Sequence, residues 1–319
     1  MASSSSSSPP QLEANETRNW VELPRDVMAM ILHKLGAIHI LESAQKVCMT
    51  WRNICKDPAM WRSIDMRNLG DLWSMPYNLE KMARHAIDRS CGELVDINLE
   101  YFVTDELLQY LADRASQLRR LRLACCSEIS DEGLSEAAKK LPLLEELHIY
   151  LSPLSKVSLE TVGRCCPRLK SLKFNDRGSR SSYVGCDDEV AVVIGETMPG
   201  LHDLQLFGNK MTNDGLQAIL NGCPHLESLD LRQCFNVHLV GPFGKRCSER
   251  VKVLQRPYDP TDDYEFDTTV YDDDEDSFDD EYPSGFSEID FLSDVDNDYE
   301  FSGGGSDYSD YGELFFDDY

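Results

Sequence analysis

The spacing Leu-x-x-Leu-x-Leu, with close apolar variants, recurs six times in this 319-residue chain. The hits are Leu94-Ile97-Leu99, Leu118-Leu121-Leu123, Leu144-Leu147-Ile149, Leu169-Leu172-Phe174, Leu201-Leu204-Leu206 and Leu226-Leu229-Leu231, whose starts lie 24, 26, 25, 32 and 25 residues apart. Alternation at the last three positions is the period of a strand with one buried face. A polar turn and a helical stretch follow each strand. Ser130 and Thr212 stand where a helix cap is expected. Leu134, Ala137, Ala138 and Leu141 are spaced to line one side of a helix, and Pro142, Pro167, Pro199 and Pro224 stop the helices before the next strand. One such unit cannot bury its own apolar face, so neighbours must stack into a solenoid with a continuous core.

The strand-plus-helix unit resembles the leucine-rich repeat, in the cysteine-containing form that often accompanies F-box modules. Cys126 and Cys234 fall at that form's turn position, where a small, buried side chain suits the tight corner. The resemblance implies a concave surface built from the solvent-facing strand positions. On it Arg120 and Arg122 are a charge-reading pair, Tyr150 and Phe207 are exposed aromatic anchors, and His148, Lys173 and Arg232 lie beside them. The long fourth interval places an insertion at 175–185, NDRGSRSSYVG, which adds Arg177 and Arg180 either as ligand contacts or as part of a tolerated surface loop.

A second organised stretch precedes the repeats. Leu23-Pro24-x-Asp26 opens a helix, Val27, Ile31 and Leu35 follow at spacings of four, and Val47, Cys48 and Trp51 mark a further stripe before Asp57-Pro58 and Met60-Trp61. Together these residues resemble an F-box, with Met49-Thr50 standing where family members often carry a basic residue. The resemblance implies docking on a Skp-type adaptor, and through it on cullin and RING subunits, by Leu23, Pro24, Ile31, Leu32, Leu35, Val47 and Trp51. Without the motif, the same stripes read as an ordinary helical subdomain packed inward.

Net charge is −26, but 24 acids and no Lys or Arg lie between Asp259 and Tyr319, leaving 33 acids against 31 bases elsewhere. The acidity is a tail, and nucleic acid is excluded as an electrostatic partner. Seven Tyr and seven Phe are interleaved with the acids in that tail. It shows no period that would pack, so disorder is expected there. Ser3 to Ser8 follow Met1-Ala2 with no apolar run behind them, so no secretory signal and no membrane span are expected. The eleven cysteines are then reduced thiols of the cytoplasm or nucleus. Cys125-Cys126 and Cys165-Cys166 are adjacent pairs without metal-ligand spacing, and no nucleophile, phosphate-loop or zinc motif occurs, so neither metal, cofactor nor catalysis is expected.

The expected order is α/β overall: a polar leader over 1–18, an F-box over 19–65, a joint with a helix at Leu79 to Ser90 over 66–93, about six repeats over 94–256, and a disordered acidic tail over 257–319. The joint, Met82 to Ser90, resembles a plant F-box/leucine-rich-repeat subgroup. The implied role is the target-recognition subunit of a Skp-cullin-F-box ubiquitin ligase, with an unidentified protein target. The alternatives are an adaptor-binding scaffold without a role in degradation and a small-molecule sensor. Six units make too short an arc to enclose much volume for a small ligand.

Overall fold

The computed structural model describes residues 23–68, 75–178 and 186–270. Four short helices come first: α1 (Arg25–His33), α2 (Gly36–His39), α3 (Gln45–Val47) and α4 (Met49–Cys55). Pro24 precedes α1 with its φ at −53°, and Asp26 places an acid in the first turn. Gly36 at φ +78° reverses the chain between α1 and α2, a left-handed conformation that glycine adopts without strain. A π-helical turn, Ile40–Ala44, joins α2 to α3. A 3-10 turn, Pro58–Trp61, closes the group; Asp57 caps it by accepting from the Ala59 amide at 3.1 Å and pairs with Arg25 at 2.8 Å.

From Ser63 onward strands and helices alternate. They are β1 (Ser63–Met66), α5 (Leu79–Arg89), β2 (Asp96–Glu100), α6 (Asp105–Arg114), β3 (Arg120–Ala124), α7 (Asp131–Lys139), β4 (Glu146–Tyr150) and α8 (Lys156–Cys165). They continue with β5 (Ser171–Asn175), α9 (Glu189–Thr197), β6 (Asp203–Gln205), α10 (Asn213–Gly222), β7 (Ser228–Asp230), α11 (Gly241–Arg250) and β8 (Val253–Gln255). The eight strands form one parallel sheet in chain order. Register stacks the middle apolar residue of every unit: Ile64, Ile97, Leu121, Leu147, Leu172, Leu204, Leu229 and Leu254 are successive partners. The helices cover one face of the sheet, and its other face is the concave surface.

The six spacings become β2 to β7, and the structure adds a strand at each end. β1 carries the pattern as Trp61-x-x-Ile64-x-Met66 and β8 as Val251-x-x-Leu254-x-Arg256, with residues other than leucine at the outer positions. The boundary expected at residue 65 therefore falls inside β1. The helix expected in the joint is α5, with Met82, Ala83, Ala86 and Ile87 buried, and it is the first helix of the solenoid. One continuous core runs from Met28 to Val251. Trp61 sits at the junction, 1% exposed, with its indole N–H donating to the Cys55 carbonyl at 2.8 Å and Arg89 over its ring.

Two devices fix the stacking. At the helix starts, an acid of one unit accepts from the cap of the next. Asp105 takes the Ser130 amide at 2.8 Å and its hydroxyl at 2.6 Å, Asp131 does the same with Ser155, and Asp188 with Thr212. Ser130 and Thr212 cap α7 and α10, as their positions predict. Gly133 is the clearance for this contact, because a Cβ there would lie 1.9 Å from the Asp105 carboxylate. At the strand ends, the chain turns through a left-handed residue at equivalent positions: Tyr101, Cys125, Leu151, Gly208 and Gln233.

The disorder expected for the whole tail is corrected over its first part. Residues 257–270 leave the solenoid after β8 and fold back on the concave surface. Packing there uses a period of two, with Tyr264, Phe266 and Thr268 turned inward between exposed Asp263, Glu265 and Asp267. The expectation for 271–319 lies outside the described residues, as does that for the leader.

Candidate functional site

Two surfaces carry the residues singled out by sequence. The first lies on α1 and the α3–α4 junction, helices that pack on one another. Leu23, Leu35 and Val47 are exposed there, Val47 by 63%, and so is Pro24. Ile31 and Trp51 are half-buried, with Trp51 packed against the core. Leu32 is fully buried, so of the expected adaptor contacts it is a core residue. Its neighbour Ile31 is one helical step round from it and points away. Met30 and Met49 are 61% and 67% exposed and join the apolar surface. In the sequence Met30 lies beside an apolar stripe, which reads equally well as core, and Met49 stands where family members often carry a basic residue.

The second surface is the concave face, and here the aromatic anchors are not exposed. The residue after each strand's last apolar position gives the row Glu100, Ala124, Tyr150, Asn175, Phe207 and Arg232, all buried. What buries its central members is residues 263–268 of the chain itself. The Tyr264 ring stacks on Phe207 with centroids 3.9 Å apart and planes 7° apart. Phe266 packs on Tyr150 at 4.9 Å. Arg122 pairs with Glu100 on its own sheet and with Glu265 of the returning segment at 2.8 Å, and its guanidinium lies over the Tyr150 and Phe266 rings. Arg232 repeats the arrangement: it holds Asp230 at 2.8 Å, pairs with Asp263, and donates to the Pro260 carbonyl at 3.0 Å. The Gln233 side chain donates to the Thr268 carbonyl at 2.7 Å. Beneath the segment Asn175, Gln205 and Asp230 are hydrogen-bonded in series, so the floor is organised by its own contacts.

Electrostatics follow from this covering. Burial pushes the Tyr150 phenol up to about 12 and raises that of Tyr264 as well, whose hydroxyl is buried without a hydrogen bond. The Arg232 contact holds Asp263 below the usual carboxylate range. His148 is half-buried, and burial followed by the nearby Lys173 lowers it to about 4. It lies 3.4 Å from the Ser171 hydroxyl, and Lys173 is on the adjacent strand. Arg120 is exposed and pairs with Asp96 at 3.0 Å. Arg177 is exposed on the insertion, and Arg180 lies outside the described residues.

Several cysteines are buried in the core of the repeats. Burial pushes Cys126 and Cys166 up to about 12 and Cys223 to about 11, so these thiols stay protonated at neutral pH. Among the described residues no group of His, Cys, Asp or Glu could hold a metal ion, and no single helix is long and apolar enough to cross a membrane.

The helical group and the repeats have counterparts among known proteins. An F-box-like family model matches residues 20–67, and a leucine-rich-repeat model matches 116–136 and 199–220. The Arabidopsis thaliana F-box protein SKIP19 is 51% identical over 318 residues, which is 98% of this chain and 99% of that protein. The putative F-box/LRR-repeat protein 23 of the same plant is 51% identical over 267 residues, 82% of this chain and 59% of that one. Among solved structures, a chain of the yeast Rad7–Elc1 complex superposes with a TM-score of 0.46 at 14% identity, over 73% of this chain and 62% of that chain. That overlay is too loose to argue from. The relatives and the family models agree with the helical group and the stacked repeats: this chain belongs to the plant F-box/leucine-rich-repeat family.

Proposed function

We propose that the chain is the target-recognition subunit of a Skp-cullin-F-box ubiquitin ligase. The observation that carries this is the open apolar surface of Leu23, Met30, Leu35, Val47 and Met49 on the F-box helices. Large apolar side chains gathered on one exposed surface are the ordinary mark of a protein interface. The family relationship supports a Skp-type adaptor as its partner, with cullin and RING subunits reached through that adaptor. The repeats hold the target. Catalysis is then a matter of proximity: the target's lysines gain a high effective concentration beside a charged conjugating enzyme, and no residue of this chain need perform chemistry.

The test is capture of a purified Skp-type adaptor by the full chain, next to Leu23→Ala/Pro24→Ala and Val47→Asp/Met49→Asp variants. Binding by the wild-type chain with at least a ten-fold loss in both variants, at unchanged thermal stability, is expected for exposed hot-spot residues. An adaptor that ignores the wild-type chain, or binds the variants equally, removes the proposal.

A further inference from the structure

The concave surface is occupied by a peptide of the chain's own making, and the chemistry of that peptide describes what the surface recognises. Asp263-Tyr264-Glu265-Phe266 leaves a turn closed by the Tyr264 amide on the Thr261 carbonyl at 2.9 Å, and alternate side chains face inward. Each inward ring meets a ring of the floor: Tyr264 on Phe207 at 3.9 Å and Phe266 on Tyr150 at 4.9 Å. Each acid meets a guanidinium that already has one carboxylate partner in the sheet, Asp263 on Arg232 and Glu265 on Arg122. The floor therefore reads an aromatic ring and an acid at alternate positions, twice over. A simple solubilising tail has no reason to match the floor ring for ring and charge for charge. The same four residues recur in the sequence as Asp298-Tyr299-Glu300-Phe301.

We propose that the concave face is a receptor for acidic-aromatic protein segments of the Asp-Tyr-Glu-Phe type, and that residues 263–266 are a tethered occupant which a target segment of the same chemistry must displace. This deepens the receptor reading above by naming the class of target. Tethering sets the terms of the competition. The occupant follows β8 by only a few residues, and a short linker of that kind gives a local concentration of about a millimolar. A free peptide with equal contacts is disfavoured by the ratio of that concentration to its own dissociation constant. Only a target that binds more tightly, or that is held nearby by other contacts, enters. The Arg–carboxylate pairs make entry weaker at high salt.

The experiment uses the full chain and a fluorescent peptide with the sequence of residues 261–269, TDDYEFDTT, beside a scrambled control. It compares the wild-type chain with the variant Tyr264→Ala/Phe266→Ala/Tyr299→Ala/Phe301→Ala, in which both copies of the segment lose their rings and the floor is untouched. The variant is expected to bind the peptide at least about ten-fold more tightly than the wild-type chain, and the scrambled peptide is expected not to bind. Hydroxyl-radical footprinting of the unaltered chain supplies a reading that needs no variant. Tyr264 and Phe266 should be protected from oxidation in the chain alone, and excess unlabelled peptide should expose them. Equal affinity of the two chains, equal binding of the scrambled peptide, or free oxidation of Tyr264 and Phe266 in the wild-type chain would each overturn the proposal. Adaptor capture on the same samples separates the two ideas. Loss of adaptor binding with peptide exchange intact removes the ligase assignment alone, and the converse removes this one.

Discussion

The F-box end and the concave face both gather large apolar or aromatic side chains, and they are finished in opposite ways. On the F-box helices Val47 and Met49 are left in water, with no segment of the described chain folded over them. On the sheet Tyr150 and Phe207 are 2% and 1% exposed, because the chain returns after β8 to cover them. Both surfaces are built on the same continuous core, so the difference does not come from the scaffold. It comes from what the chain supplies as a lid. A surface without an internal competitor meets a ligand with its full affinity, and one with an internal competitor weakens every ligand by the same factor.

The comparison is broken most severely where the two regions join. Trp61→Ala removes a ring that both share and leaves the Cys55 carbonyl without its donor, so a loss of about 3–5 kcal/mol is expected. Denaturant unfolding followed at the F-box and at the repeats should stay coincident if the regions share one core; separate transitions would show that they do not. Next comes Arg122→Ala, which strands the buried Glu100 carboxylate and frees Glu265. About 3 kcal/mol is expected from breaking such a pair. Arg120→Ala, two residues away on the same strand, has no cover and should cost less than about 0.5 kcal/mol. Side-chain exposures of 15% and 47% distinguish the two arginines, and equal effects would mean that the covering has no energetic weight.

A further effect comes from pH. Burial lowers His148, on the concave side, and His85, on α5, to about 4 from an ordinary value of 6.5. Between these values the unfolded chain binds more protons than the folded one. The stability due to neutral histidines is therefore complete above about pH 6.5 and is lost as pH falls toward 4. Around His148 the facing groups are Lys173, Asp203 and Arg122, and around His85 they are Arg89 and Asp88. Urea midpoints measured from neutral to acid pH should fall across that window, and the His148→Gln variant should flatten part of the slope. An unchanged slope would place the titration elsewhere.

Much of this architecture is legible in the sequence, because it repeats. A large apolar residue at three fixed places in each of six units leaves little freedom, so β2 to β7 and the caps at Ser130 and Thr212 follow from spacing, and the buried face of α5 from its own helical period. β1 and β8 escape the pattern because Trp61, Met66, Val251 and Arg256 stand at its outer positions. Ile31 and Leu32 are adjacent on α1 and about 100° apart around it. Which of them faces outward depends on where α4 packs, and that is a non-local fact. The covering segment is harder still. Its alternation extends over a handful of residues in an acidic stretch, and its partners lie on strands far back in the chain. Composition describes such a segment as solvated, and only the shape of the floor shows otherwise.

Because β1 belongs to the same sheet as the repeats, the F-box is not a head on a hinge. Strands in a sheet are about 4.8 Å apart, so the number of units between β1 and a given row of the concave face works as a ruler. Anything gripped at Phe207 is held five strand spacings from the β1 end, along an arc that can neither stretch nor swivel without breaking core contacts. A relative with one unit more or fewer would hold its cargo a whole graduation further out or closer in. Gripping the same peptide would then bring a different part of that cargo into reach.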